Sequence, residues 1–120
     1  MSKRIIFWVF VCGLVFGAVC AKSATNPGQE SFEKRCSGCH APDRAKEGPA
    51  LRGVFGRRAG QAANFPYSDV LKKANFTWDD ASLDKWLKDP DALVPGTDMV
   101  FRLDDQAERA KIIGYLKQLK

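Results

Sequence analysis

The sequence predicts a small all-α domain, and three observations lead to this fold class. Residues 104–119 place Ile112, Leu116 and Leu119 at helical spacing. The stretch PGQESFEKRCSGC at positions 27–39 also predicts a helix, which leads into its two cysteines. No alternation of apolar and polar residues is long enough for a useful strand. We expect one domain, because a chain of 120 residues allows only one modest core.

The three expected helices can be placed in order along the chain. The first runs into the stretch CSGCH at positions 36–40. A middle helix is expected from about Ala81 to Lys88, where Thr77 or Asp79 can cap its start and Pro90 stops it. The last helix opens on two aspartates, which suit the positive end of the helix dipole.

The N-terminus predicts a signal peptide over residues 1–21. Lys3 and Arg4 precede an apolar run from Ile5 to Val19, and small residues follow it. This order is typical of secretory signals, so we expect cleavage after Ala21 and a domain over 22–120, with its core at about 28–119. A retained membrane anchor is the alternative, although the run is shorter than the ~20 residues that span a bilayer.

Cleavage changes the chemistry of the chain. The cysteines fall from four to two, Cys36 and Cys39, and His40 is the one histidine. The formal charge falls from +5 to +3, because two of the 19 basic residues leave while all 14 acidic residues stay. A charge of this size is not the footprint of a nucleic-acid-binding protein, so we expect no nucleic-acid partner.

The stretch CSGCH can serve three chemistries. A zinc site needs about four ligands, and the exported chain offers only Cys36, Cys39 and His40. A dithiol oxidoreductase would use the two thiols but leaves His40 unexplained and expects a βαβ unit. Covalent haem attachment uses all three residues, since the thiols form thioethers with the porphyrin and the histidine ligates iron. We therefore expect one covalent haem c.

A second axial ligand is expected at Met99. It is the one methionine left after cleavage, and the chain has no second histidine. A methionine can also fill a gap in a core. However, a Pro-Gly pair just before it, in VPGTDMVF, predicts a turn that aims one side chain. His/Met ligation raises the reduction potential and leaves iron no open position.

The exported chain resembles the class I cytochromes c, the small monohaem type found in bacteria and mitochondria. The resemblance runs from about Gly28 to Leu119. It rests on the order of six stretches, GQESFEKRCSGCH, GPALRGVFGRRAGQ, FPYSDV, FTWDDASLDKWLKDP, VPGTDMVF and IIGYLK. It implies a single-domain cytochrome c fold, with three to five helices around one haem. In such folds the first and last helices cross, at positions matched here by Gly28, Phe32, Ile112 and Tyr115.

The resemblance also implies roles for polar residues. Pro49 matches the proline whose carbonyl accepts the N–H of the ligand histidine. Trp86 stands where a tyrosine commonly bonds the methionine sulfur, and Leu71 where an asparagine is common. Four residues match those that hold a buried haem propionate, or join them: Arg57, Tyr67, Trp78 and Thr97. Alternatively, the aromatic residues belong to an ordinary core and Arg57 is solvated.

The function implied is that of an electron carrier and not of an enzyme. We expect a soluble, monomeric periplasmic protein without stable membrane insertion. It would carry one electron from a quinol-oxidising cytochrome complex or a dehydrogenase to a terminal oxidase or reductase. Two alternatives are a haem enzyme or gas-binding or peroxide-binding protein in which Met99 is displaced, and a dedicated subunit of one periplasmic dehydrogenase.

Charge is distributed unevenly between two segments. The histidine segment, residues 34–58, holds seven basic and two acidic residues, a net charge of +5. The methionine segment, residues 89–105, holds one basic and five acidic residues, a net charge of −4. We therefore expect a docking face of mixed charge, whose rates depend less on salt than those of a lysine-ringed carrier.

Overall fold

The structure is a computed structural model that describes Gly17 and residues 23–120. Five α-helices occur there: α1 (Pro27–Arg35), α2 (Asp69–Lys72), α3 (Asp80–Lys88), α4 (Pro90–Leu93) and α5 (Gln106–Gln118). Within the same residues, β-type pairing is limited to one bridge between Arg58 and Thr77. The predicted all-α fold is confirmed. The predicted cleavage after Ala21 and, apart from Gly17, the predicted signal peptide lie outside the described residues.

Helix starts are fixed by side chains that the sequence placed there. Asp79 caps α3 in a reciprocal bond with Ser82, whose backbone N–H lies 2.8 Å from the Asp79 carboxylate. Of the two predicted caps, Asp79 is therefore correct, and Thr77 only accepts a bond on its carbonyl. Asp105 caps α5, so that helix begins two residues after the predicted start. No helix among residues 23–120 is long and apolar enough to cross a membrane.

Helices α1 and α5 cross, as the sequence predicted. The rings of Phe32 and Tyr115 lie 5.1 Å apart, and Ile112 is fully buried beside them. Gly28 permits the close approach, because a β-carbon there would lie 3.0 Å from the Tyr115 β-carbon and overlap the Lys111 carbonyl. A larger residue at position 28 would push the two helices apart.

Polar contacts hold the same crossing at both ends. Arg35 on α1 forms two bonds to the Glu108 carboxylate on α5, at 2.8 and 3.0 Å. The Asn26 side chain, which caps α1, donates to Gln118 at 2.6 Å. The crossing therefore provides a rigid support for the chain that follows α1, which begins at Cys36.

The loops between α1 and α3 are tied to each other by backbone hydrogen bonds. Gly56 N–H donates to the Trp78 carbonyl at 2.7 Å, and Ala59 N–H donates to the Phe76 carbonyl at 2.9 Å. Gly53 N–H donates to the Leu119 carbonyl at 2.7 Å, which joins these loops to the end of α5. Residues of these loops line a cavity, together with residues of α3 and of the segment after α4.

Candidate cofactor site

All ten site residues that the sequence predicted line one cavity of about 730 Å³. Core residues from α1, α3 and α5 supply its apolar wall, among them Phe32, Leu83, Leu87, Ile112 and Leu116. The predicted residues on its wall are Cys36, Cys39, His40, Pro49, Arg57, Tyr67, Trp78, Trp86, Thr97 and Met99. The fold thus brings together side chains that are spread over 64 positions of the sequence.

His40 is held by backbone groups on both sides. Its N–H donates to the Cys36 carbonyl at 2.8 Å, which closes a turn over the CSGCH stretch. Its ring Nδ1 lies 2.9 Å from the Pro49 carbonyl. A carbonyl can only accept, so Nδ1 carries the proton and the Nε2 lone pair is available to a metal. Burial lowers the pKa of His40 more than this bond raises it, which favours the neutral ring.

Gly48 makes room for the His40 ring. A β-carbon at Gly48 would lie 2.7 Å from Nδ1 and 2.8 Å from Nε2, closer than packed atoms allow. The Gly48 N–H also donates to the Cys39 carbonyl at 2.8 Å. The glycine therefore closes the loop around the histidine and cannot be enlarged without moving the ring. Sequence reasoning missed this residue, although its position beside Pro49 was the available signal.

The two cysteines are free thiols in this structure, with Cys36 half-buried and Cys39 exposed. Burial, with smaller contributions from Glu108 and Cys39, raises the pKa of Cys36 to about 12. The reactive form of a cysteine is the thiolate, and burial does not favour it at Cys36. Among residues 23–120, no group of three His, Cys, Asp or Glu side chains is placed so that it could hold a metal ion.

The loop that carries Met99 begins with the predicted turn. The Val94 carbonyl accepts from Thr97 N–H at 3.1 Å, and Gly96 between them has φ of +84°. Proline followed by a glycine of positive φ is typical of a type II turn. The Asp91 carboxylate accepts from Gly96 N–H at 2.9 Å and anchors the turn to α4.

Trp86 donates its indole N–H to the Met99 sulfur, with 3.1 Å between Nε1 and Sδ. The tryptophan lies on α3, 13 residues before the methionine, and is buried. Its ring also contacts Trp78 edge to face, with centroids 5.2 Å apart. The resemblance places Trp86 where a tyrosine commonly bonds the methionine sulfur, and in the structure the indole N–H makes this bond.

The four predicted propionate residues all line this cavity. The two terminal nitrogens of Arg57 lie 3.3 and 3.4 Å from backbone carbonyls, and its Nε is buried without a hydrogen-bond partner. The Tyr67 hydroxyl accepts from Ala62 N–H at 3.0 Å, which leaves its own hydrogen free to donate. Trp78 is buried, and Thr97 lies on the wall beside the turn.

These features fit a haem whose carboxylates enter the protein. The cavity offers a neutral imidazole nitrogen, a thioether sulfur and two thiols, which is the donor set of a haem attached by two thioethers. A buried guanidinium nitrogen without a partner is costly, and a carboxylate would satisfy it. The residues present therefore fit haem c on chemistry as well as on space.

Comparisons with known proteins identify the family. The sequence model of the family described as cytochrome c matches residues 25–120. A cytochrome c2 iso-2 from Magnetospirillum fulvum is 45% identical over 87 residues, covering 70% of this chain and 91% of that protein. A cytochrome c2 from Blastochloris viridis is 33% identical over 120 residues, covering 97% and 93%. The solved structure of cytochrome cH from Methylobacterium extorquens has a TM-score of 0.73 and 44% identity, covering 77% and 95%.

The chain belongs to the cytochrome c family. It is a small electron carrier with one covalent haem c. The sequence prediction of the family, the fold and the cofactor is confirmed.

Proposed function

We propose that the chain is a soluble, monomeric periplasmic carrier that moves one electron at a time between membrane complexes. The observation that supports this most directly is the cavity, which has His40 and Met99 on its wall together with both attachment cysteines. Haem c supplies an iron that gains or loses one electron, and no atom is transferred. No substrate is transformed, so the protein acts by transport and not as an enzyme.

His40 and Met99 are the proposed axial ligands. His40 would supply Nε2, since Nδ1 is engaged by the Pro49 carbonyl. Met99 would supply its sulfur, with the Trp86 N–H as a second partner of that sulfur. A thioether favours the ferrous state and thereby raises the potential. With both positions occupied, small molecules have no open site on the iron.

The polar wall would hold a propionate inside the protein. Arg57 offers its buried Nε and Tyr67 its hydroxyl hydrogen, while Trp78 and Thr97 contribute an N–H and an O–H. A buried carboxylate needs such donors because burial removes its water. Cys39 is exposed, so the cavity reaches solvent beside an attachment cysteine, and electrons would enter and leave there.

We further propose that residues 1–21 are a cleaved signal, which would place the mature chain in the periplasm. Its partners would be a quinol-oxidising complex or a periplasmic dehydrogenase on one side and an oxidase or reductase on the other. N-terminal sequencing of the exported protein should begin at Lys22. A chain that retains Ile5–Val19 and fractionates with membranes would contradict this localisation.

Optical spectra of the purified protein test the proposed site. The oxidised form should show the weak far-red band of sulfur-to-iron ligation, and the reduced form should show the sharp bands of haem c. Intact mass should equal the mature chain plus one haem. A chain of apo mass with a Cys36–Cys39 disulfide would overturn the haem site and favour the oxidoreductase alternative.

Carbon monoxide distinguishes the carrier from the haem-enzyme alternative. A ferrous protein with Met99 on iron should bind it poorly, whereas an open sixth position binds it readily. Tight binding by the unmodified protein would favour a gas-binding or peroxide-binding role. Stable co-purification with a single dehydrogenase would favour the dedicated-subunit alternative.

A further inference from the structure

Arg109 is a buried charge that neither the motifs nor the proposed carrier function explains. It lies on α5 and is only 4% exposed. Its Nε donates to the Asp84 carboxylate at 2.7 Å. One of its terminal nitrogens donates to the Leu103 carbonyl at 2.8 Å and the Asp104 carbonyl at 2.9 Å. A guanidinium is buried only with such partners, because removing it from water is costly.

These bonds join two structures that meet at the Met99 sulfur. One is α3, which carries Asp84 and, two positions later, Trp86, the donor to that sulfur. The other is the extended segment after Met99, which ends at the carbonyls of Leu103 and Asp104. Leu103 N–H also donates to the Leu87 carbonyl of α3 at 2.9 Å.

We propose that Arg109 is a positioning residue for Met99, with Asp84 as its partner. The guanidinium fixes the end of the methionine loop against the helix that carries the tryptophan donor, and so keeps the sulfur in the cavity. The inference rests on the proposed ligation by Met99. It assigns Arg109 no contact with the haem, and Arg109 does not line the cavity.

Displacement of Met99 by imidazole in the ferric holoprotein measures this role. An external ligand can bind the iron only after the methionine leaves. Its apparent affinity is therefore its intrinsic affinity multiplied by the fraction of protein in which the sulfur is off the iron. Arg109→Lys keeps the charge. However, one ammonium group cannot replace the planar guanidinium, which donates to a carboxylate and to two backbone carbonyls at the same time. We expect its apparent imidazole affinity to rise about tenfold or more, and that of Asp84→Asn to rise about threefold.

Lys117→Met is the matched control. Lys117 also joins α5 to α3, through a 2.6 Å ion pair with Asp80, but both side chains are largely exposed. Among residues 23–120, no hydrogen bond or ion pair joins Lys117 or Asp80 to the methionine loop, so the imidazole affinity of this variant should stay within about twofold of the parent. Unfolding followed by far-UV circular dichroism gives the global stability of each variant in parallel.

The outcomes separate the two proposals. If Arg109→Lys and Asp84→Asn are less stable but bind imidazole like Lys117→Met, Arg109 is merely structural and the inference is wrong. If Arg109→Lys does not accumulate as holoprotein, Asp84→Asn carries the test alone, and an unchanged affinity there overturns it. If the parent lacks the far-red sulfur band, the ligation by Met99 fails instead.

Discussion

The histidine segment and the methionine segment hold their proposed ligands in different ways. In the histidine segment, the contacts that hold the ligand itself are local: His40 is fixed by Cys36, Gly48 and Pro49, all within nine positions. In the methionine segment, the sulfur is held by Trp86 from α3, and its loop is held by Arg109 from α5. A ligand fixed by neighbouring backbone depends on local sequence. A ligand fixed by distant side chains depends on the whole fold.

The two segments also differ in charge after pairing is considered. In the histidine segment, Arg52 pairs with Asp43 at 2.5 Å, yet several basic residues remain exposed. In the methionine segment, Asp89 pairs with Arg102 at 3.2 Å, while Asp98 is exposed beside Met99. The difference in net charge predicted from the sequence therefore persists among the exposed side chains of the two segments.

Of the changes that distinguish the two segments, replacing Met99 should have the largest effect, and it should act on the reduction potential. In Met99→Ala the sixth position opens, so the potential should fall by on the order of 0.1 V or more, within the ~0.8 V that axial ligands span. Potentiometry measures the fall, and carbon monoxide should now bind the ferrous protein. If the potential and the far-red band are those of the parent, Met99 is not the ligand.

Gly48→Ala tests how tightly the histidine segment is packed. The added methyl group would overlap the His40 ring, and overpacking of this kind costs roughly 1–3 kcal/mol of unfolding free energy. Unfolding of the holoprotein in guanidinium chloride measures this loss of unfolding free energy. Gly38→Ala is the control, since a β-carbon there meets no atom within 4 Å and should change stability by less than about 0.5 kcal/mol. Equal losses in both variants would contradict the role assigned to Gly48.

Trp86→Phe removes the hydrogen bond to the sulfur and retains most of the packing. The N–H places positive charge toward the ligand, which favours the ferrous state, so its loss should lower the potential. A neutral hydrogen bond is worth about 1 kcal/mol, so the fall should be a few tens of millivolts and at most about 60 mV. The control Trp86→Tyr keeps an aromatic ring at the same position and supplies a hydroxyl donor, so its potential should stay closer to that of the parent. An equal fall in the control would show that the sulfur bond is not the cause.

The sequence predicted the two segments unequally well, for a physical reason. Cys36, Cys39 and His40 lie within one turn, so their chemistry can be recognised from spacing alone. The cap at Asp79 and the turn at Gly96 were predictable for the same reason. Arg109 was not, because an arginine on a helix is normally solvated, and only packing of α3 against α5 removes it from water. The contact of Trp86 with the sulfur likewise depends on how the loop returns to α3.

The smallest expected effect concerns the charge of the methionine segment. Asp98→Asn should slow oxidation of the ferrous protein by cationic tris(phenanthroline)cobalt(III) and speed oxidation by anionic hexacyanoferrate(III), each by about twofold at low salt. The reason is local: an exposed charge acts strongly only within the screening length, ~10 Å at 0.1 M salt. Stopped-flow rates measured against ionic strength test this, and the difference between the two oxidants should shrink as salt is added.

Glu30→Gln is the control for Asp98→Asn, since it changes the net charge equally. Glu30 is exposed in the first turn of α1 and does not line the cavity. If both variants shift the rates alike, only the net charge matters, and the acidic methionine segment does not face the route of the electron. If Asp98→Asn alone shifts the two oxidation rates, the acidic methionine segment faces the route of the electron. A partner that docks there must then present basic groups to Asp98 and acidic groups to the exposed bases of the histidine segment. Such a partner would be attracted at both edges but would gain little from the net charge of the chain, which accounts for the weak salt dependence expected from the sequence.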